Sequence, residues 1–173
     1  SKVVGLVDAP GQRFVFSLYD AGEIWVADMR TPSQPVLHKF AGVGKEPYDG
    51  MITSDGRHYA AGLFGEDGVA LLDLWNLDAG VARVLVEFGR HGEKLPVYKM
   101  PHLEGWASTG SQIVLPAVGK HEVIIADQNT WKEVARIPVA GQVVFAVARP
   151  GGREVWLNFA FPDNDKVQVL DLP

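Results

Sequence analysis

The chain repeats one pattern four times: a turn that contains Gly, an apolar run, a second turn, and a second apolar run that is closed by Asp. The closing residues are Asp28, Asp73, Asp127 and Asp171, which recur after 45, 54 and 44 residues. A period of roughly 40 to 50 residues is typical of β-propeller blades. One four-stranded blade cannot bury both of its faces, so blades stack radially around a central channel. The repeat therefore predicts a propeller.

Runs of β-branched, aromatic and aliphatic residues lie between turns that are rich in Gly, Pro, Asp and Asn, which predicts an all-β chain. Gly11, Gly56 and Gly151 supply positive φ angles for the turns between the first two strands of a unit. We expect a single partial β-propeller domain, 1–173, with approximate blades at 1–42, 43–89, 90–140 and 141–173. The predicted strands are Val3–Val7, Arg13–Leu18, Glu23–Asp28, Val36–Phe40, Asp49–Thr53, His58–Leu63, Val69–Asp73, Ala82–Phe88, Glu104–Ala107, Gln112–Pro116, Val123–Asp127, Glu133–Pro138, Val143–Ala148, Glu154–Phe159 and Val167–Asp171.

The last unit has three predicted strands instead of four, which leaves an open edge that pairs readily with another chain. Four blades alone close only a very narrow ring, so half of an eight-bladed propeller is the expected architecture. A homodimer of this chain is the alternative way to cover the edge. The repeat also predicts equivalent positions for Arg13, Arg57, Gln112 and Arg153.

Composition excludes several classes of function. The 173 residues include no Cys, which removes disulfides and thiolate chemistry, and the formal net charge of -5 argues against nucleic acid as a partner. No apolar run is long enough for a membrane span, and we expect no export signal within the chain. Asp163-Asn164-Asp165 is better explained as a polar hairpin tip than as a calcium loop, so neither calcium nor zinc is expected.

Two acidic residues break the symmetry of the repeat. Asp49 and Glu104 each precede a Gly and lie eight residues before Arg57 and Gln112, at the same level of the first strand of their units. Because the first strands line the channel, either carboxylate is a candidate catalytic acid or base at the mouth. The alternative is that both carboxylates only cap the start of a strand.

His102, Glu104 and Trp106 alternate, so an extended segment places all three on one face. This set offers a nitrogen ligand or base, a carboxylate and an aromatic wall, although an isolated His is more often structural. The insertion before Pro101 carries Arg90 and Lys99, which are suited to pairing with ligand carboxylates. A solvated loop is the alternative reading of that insertion.

Two groups of segments resemble the NirF family of haem d1 biosynthesis proteins of denitrifying bacteria. The first is Asp49 to Tyr59 (DGMITSDGRHY), followed by AGLFGEDG and by LDLW at 72–75, and the second is Lys99 to Trp106 (KMPHLEGW). The resemblance runs the full chain. It implies relation to the d1-haem domain of the periplasmic nitrite reductase, an eight-bladed propeller that holds its macrocycle at the central mouth. Family members are about twice this length and begin with an export or lipoprotein signal.

The resemblance implies a periplasmic protein that binds haem d1 or dihydro-haem d1 in the last stage of cofactor synthesis. His102 matches the distal histidine of the reductase and would face the haem iron, while Tyr48 and Trp106 would contact the ring. The reductase's second distal histidine has no counterpart, since the matching stretch reads Val143-Val144-Phe145-Ala146, which argues against nitrite reduction. Expected partners are other haem d1 biosynthesis and nitrite reductase maturation proteins.

Three roles remain open from the sequence. The chain is a late-step dihydro-haem d1 dehydrogenase, a non-catalytic carrier of the tetrapyrrole, or a generic propeller interaction scaffold without a cofactor. Catalytic turnover distinguishes the first role from the second. Absence of a Soret band after haem addition identifies the third.

Overall fold

The structure is a computed structural model that describes residues 1–85, 105–117, 119–149 and 151–172. Its described part holds four antiparallel sheets, three of four strands and one of three. The all-β prediction is confirmed. The described residues contain no helix that is long and apolar enough to cross a membrane.

The sheets fall into two compact units, Ser1–Glu87 and Phe88–Pro173. In the first unit, the first sheet has the order β1-β2-β3-β4 and the second has the order β5-β6-β7-β8, with a 3-10 turn, Leu77–Ala79, between β7 and β8. The strands are β1 (Val3–Ala9), β2 (Arg13–Leu18), β3 (Glu23–Asp28), β4 (Val36–Ala41), β5 (Pro47–Ile52), β6 (His58–Leu63), β7 (Val69–Asp73) and β8 (Val81–Val84).

The second unit holds the third sheet, of order β12-β11-β10-β9, and the last sheet, of order β13-β14-β15. Its strands are β9 (Ala107–Thr109), β10 (Gln112–Pro116), β11 (Glu122–Asp127), β12 (Glu133–Pro138), β13 (Val143–Ala148), β14 (Glu154–Phe159) and β15 (Val167–Asp171). Most strands agree with the predicted ranges to within two residues. There are two larger differences. Strand β8 ends at Val84, whereas the prediction extended it to Phe88, and β9 begins at Ala107, so Gly105 and Trp106 precede the strand in which they were expected.

Each unit has its own apolar core, because strand alternation points one set of side chains toward the neighbouring sheet. In the first unit, Val15 and Val26 of the first sheet pack with Leu63 and Leu72 of the second. In the second unit, Val114 and Ile125 pack with Val155 and Leu157. The turns between the first two strands have the expected glycines in the left-handed region, with φ of 83° at Gly11, 73° at Gly56 and 69° at Gly151.

The closing aspartates of the repeat have a local structural role. The side chains of Asp28, Asp73 and Asp127 each accept a hydrogen bond from the backbone N–H two residues later, at 3.0, 2.9 and 3.0 Å. This Asx turn reverses the chain after the third strand of the sheet. The recurrent Asp therefore belongs to the turn chemistry of the repeat.

The predicted equivalence of Arg13, Arg57, Gln112 and Arg153 is wrong in two of the four units. In the register between neighbouring strands, Asp28 lies opposite Arg13 and Asp127 lies opposite Gln112. Asp73 and Asp171 instead lie opposite His58 and Glu154. Arg57 and Arg153 thus lie one residue before the residue that is opposite the closing Asp. The register follows backbone pairing and turn geometry, which the side-chain pattern alone does not fix.

Acid should destabilise the fold through these turns. Arg30 lowers the pKa of Asp28 to about 2, Arg57 lowers the pKa of Asp73, and the backbone N–H of Thr130 lowers the pKa of Asp127. A carboxyl with a depressed folded pKa contributes stability above its unfolded pKa, near 4, and loses it as the pH falls toward 2. Denaturant titrations between pH 6 and pH 2 should show the unfolding midpoint falling in that window. A constant midpoint down to pH 3 would contradict the assignment.

Candidate functional site

The first strands of three sheets are bulged near their starts. The register of β1 shifts between Val4 and Val7, that of β5 between Pro47 and Gly50, and that of β13 between Val143 and Phe145. Bulges redirect side chains and are enriched beside functional sites. The β5 bulge contains Tyr48 and Asp49, two of the residues predicted to form the site.

A buried tyrosine ties β1 to β5 beside this bulge. The Tyr59 hydroxyl donates to the carbonyl oxygen of Gly5 at 2.9 Å and lies 3.0 Å from the Ser17 hydroxyl. Gly50 provides the room: a Cβ on Gly50 would lie 2.1 Å from Tyr59 Cζ. Gly5 has φ of +60°, and a Cβ there would lie 2.5 Å from the Gly50 nitrogen. At Gly5 and Gly50, β1 and β5 therefore approach each other more closely than a residue with a side chain would allow.

Asp49 lies in the interior of this arrangement. Its exposed fraction is 5%. Burial raises the pKa of the Tyr59 hydroxyl, and the charge of Asp49 raises it further, whereas the hydrogen bond with Ser17 lowers it. A carboxylate buried to this degree is held by its surroundings or is reserved for a ligand that contacts it directly. Tyr59 is protonated at neutral pH and acts as a hydrogen-bond donor.

Three rings form a cluster at the end of the sheets where β1 and β5 begin and where β2 and β6 end. The Tyr19 and Tyr48 rings meet edge to face with centroids 5.7 Å apart, and the Tyr48 and Phe64 centroids are 5.5 Å apart. We call Tyr19, Tyr48 and Phe64 the aromatic cluster. All three rings are half-buried, so the cluster offers apolar ring surface to a ligand.

Charged side chains flank the aromatic cluster. The Lys2 ammonium lies 5.1 Å from the centroid of the Tyr19 ring. The pKa of the Tyr19 hydroxyl is raised mainly by burial, and also by the charge of Glu46 and a hydrogen bond with its carboxylate. Lys45 is exposed, and its backbone N–H donates to the Glu66 carboxylate at 3.1 Å. The exposed ammonium group of Lys2 beside the Tyr19 ring suits a flat apolar ligand that carries carboxylates.

Three of the predicted site residues lie in the part of the chain that the structure describes. Tyr48 and Asp49 are adjacent in the first unit, and Trp106 lies in the second unit, with an exposed fraction of 2%. Trp106 follows Gly105, whose carbonyl oxygen accepts a hydrogen bond from the Ala146 N–H at 3.1 Å. The other predicted site residues, Arg90, Lys99, His102 and Glu104, lie outside the described residues.

Sequence reasoning missed Tyr19 and Phe64. Each follows a Leu that ends the second strand of its sheet, and the two positions are one repeat apart, as Leu18-Tyr19 and Leu63-Phe64. An aromatic residue repeated at the same end of two neighbouring blades was the available signal. Tyr59 gave no such signal, because its partners Gly5 and Ser17 come from a different sheet.

Among residues 1–85, 105–117, 119–149 and 151–172, no three His, Asp or Glu side chains are grouped so that they could hold a metal ion. The Asp163 carboxylate instead receives a hydrogen bond from the Lys166 ammonium at 2.6 Å.

The comparisons with known proteins agree with these observations. Residues 1–173 match the cytochrome D1 heme domain family. The chain belongs to that family. It is 60% identical to Protein NirF of Pseudomonas aeruginosa and 52% identical to Protein NirF of Stutzerimonas stutzeri, in each case over 171 residues. The resemblance to NirF inferred from the sequence is confirmed.

The matches cover 99% of this chain but 44% of each NirF protein. The chain thus spans less than half the length of the curated relatives that it matches. Activities, substrates and partners of a complete NirF-like protein are therefore matters for proposal.

Two solved structures share the fold. The dihydro-heme d1 dehydrogenase NirN, in complex with DHE, superposes with a TM-score of 0.71 at 21% identity, over 99% of this chain and 35% of its own. The β-propeller domain of Cps50 (Swd1) from Myceliophteria thermophila superposes with a TM-score of 0.72 at 13% identity, over 99% of this chain and 54% of its own. The predicted β-propeller class is confirmed.

Proposed function

We propose that this chain is part of a periplasmic haem d1 biosynthesis protein that binds dihydro-haem d1 or haem d1 at the propeller mouth. Membership of the cytochrome D1 heme domain family supports the ligand class. The observation that carries the proposal is the half-exposed aromatic cluster, which lies next to the bulge that holds Asp49. A flat macrocycle with acidic substituents needs ring surface and nearby cations.

The residues present fit such a ligand. Tyr48 contributes ring surface in the first unit. We assign His102 to the iron, and Arg90 and Lys99 to the carboxylates of the macrocycle. The bound group supplies the redox-active iron and the conjugated ring, while the protein supplies position, exclusion of water and proton acceptors.

A late dehydrogenation is the step to test. NirN, which shares the fold, is a dihydro-heme d1 dehydrogenase. Removing two hydrogen atoms from the macrocycle releases two protons and two electrons, and a carboxylate such as Asp49 or Glu104 can accept a proton. The electrons must pass to an acceptor. We assign that role to a partner among the haem d1 biosynthesis and nitrite reductase maturation proteins.

The second candidate is a non-catalytic carrier of the same macrocycle. The low exposure of Asp49, 5%, favours it, since a carboxylate packed beside Tyr59 also serves to hold the bulge. A carrier binds the precursor and releases it unchanged. Turnover in the presence of an electron acceptor therefore separates the two candidates.

Absorption spectroscopy tests the binding itself. A polypeptide of NirF length that contains these residues should shift the spectrum of haem d1 or dihydro-haem d1 to saturation. Residues 1–173 alone should bind more weakly, because deep sites cover roughly 70–90% of a ligand's surface and less of the pocket is present. An unchanged ligand spectrum with the longer polypeptide would reject the proposal.

Replacing Asp49 by Asn tests the proton-transfer role. The variant keeps the shape and a carbonyl oxygen, so we expect most of the ligand affinity to remain and conversion of the precursor to fall by about 100-fold or more. Asp20→Asn, an exposed carboxylate at the same end of the sheets, is the matched control and should convert normally. Equal turnover of Asp49→Asn and the unmodified protein would remove Asp49 from the mechanism.

A further inference from the structure

A polar recess lies at the opposite end of the first unit from the aromatic cluster. It has a volume of about 410 Å³ and is lined by Gly11, Arg13, Asp28, Arg30, His38 and Leu77. Gly11 is in the turn after β1, whereas the aromatic cluster lies where β1 begins. The recess is therefore separate from the tetrapyrrole site and does not depend on the proposed function.

Arg13 is held in place by two backbone carbonyl groups. Its Nε donates to the carbonyl oxygen of Pro10 at 2.8 Å, and its Nη1 donates to the carbonyl oxygen of Leu74 at 2.7 Å. A guanidinium has five N–H donors, so three of them have no acceptor among the described residues. Because two bonds already fix the plane of the group, little side-chain entropy remains to be lost when a ligand binds.

Arg30 and Asp28 form the other wall. The Asp28 carboxylate accepts hydrogen bonds from Nε and Nη2 of Arg30, with the shortest at 2.6 Å. Two guanidinium groups and one carboxylate leave a surplus positive charge in the recess, although the whole chain carries a formal charge of -5. A local cationic surplus on an acidic protein attracts anions.

His38 completes the lining. It lies on β4 opposite Val26 of β3, and it is half-buried. An imidazole offers an N–H donor to an anion whether it is neutral or protonated. The recess thus combines a preorganised guanidinium, a second guanidinium and a ring N–H donor.

We propose that this recess binds a small oxyanion, a carboxylate or a phosphate. The fork of guanidinium donors matches the oxygen pairs of both groups. Arg13 and Arg30 supply the charge, and His38 supplies a further hydrogen bond. Asp28 holds Arg30 and limits the affinity by repelling the ligand.

Thermal melting and isothermal titration of the chain with inorganic phosphate and with succinate test this proposal. Each anion should raise the melting temperature to saturation, beyond the effect of chloride at the same ionic strength. Tighter binding of succinate would identify a carboxylate ligand, and tighter binding of phosphate a phosphate ligand. If neither anion exceeds chloride, the proposal is wrong.

Two substitutions should change the affinity in opposite directions. Arg30→Gln removes a positive charge and should weaken binding by about threefold to tenfold, whereas Asp28→Asn keeps the turn acceptor, removes the repulsion and should strengthen binding by a similar factor. Asp127→Asn is the control, since it removes the same charge from the corresponding turn of the third sheet. Equal affinities for all of these proteins would place the anion elsewhere and overturn the assignment.

Discussion

Replacing Gly50 by Ala should lower the free energy of unfolding by about 3 kcal/mol, the upper end of the usual cost of overpacking a core. The added Cβ would lie 2.1–2.2 Å from three atoms of the Tyr59 side chain. Tyr59 is fully buried and is tied to Gly5 and Ser17 by its hydroxyl. Relief of the overlap therefore requires either Tyr59 or β5 to move. Thermal melting should show a decrease of about 10 °C.

Two other variants identify the cause of that loss. Gly152→Ala places a Cβ no closer than 3.1 Å to its neighbours and should cost less than about 1 kcal/mol. Tyr59→Phe keeps the ring but removes the hydrogen bonds to Gly5 and Ser17, which should cost about 1–2 kcal/mol. A Gly50→Ala variant as stable as Gly152→Ala would show that β1 and β5 are not packed as described.

Replacing His102 by Ala in a polypeptide of NirF length should change the absorption spectrum of bound haem d1. The reason is the loss of the nitrogen that we assign to the iron, since axial ligand identity sets the electronic state of a haem. The fold should be retained, because the substitution removes one side chain from the segment before β9. The measurement is the difference spectrum between the variant and the unmodified complex at saturating ligand.

His121→Ala is the control for this experiment. His121 is exposed in the turn before β11, and its backbone carbonyl oxygen accepts the Val139 N–H, a bond that Ala keeps. Its complex should therefore have the spectrum of the unmodified protein. An unchanged spectrum and affinity in His102→Ala would remove His102 from the ligand set and leave the aromatic cluster as the supported part of the site.

Strand positions were predictable from the sequence because alternation and turn composition are local properties. The ranges of β2, β3, β6, β7, β10 and β12 to β15 were predicted to the residue. The turn glycines were also predictable, since positive φ is costly for other residues at Gly11 and Gly56. Asp49 was a candidate because it interrupts a repeat that can be read along the chain.

Contacts between strands that are distant in the sequence required the tertiary structure. The sequence does not place the Tyr59 hydroxyl at Gly5, 54 residues away, and it does not direct Arg13 to the carbonyl oxygen of Leu74, 61 residues away. The pairing of His58 rather than Arg57 with Asp73 was likewise set by the backbone. Thus the local pattern of the sequence determined the blades and their turns, whereas packing between sheets decided the bulges, the aromatic cluster and the polar recess. The reason is that hydrogen bonding and close packing depend on distances that no local pattern encodes.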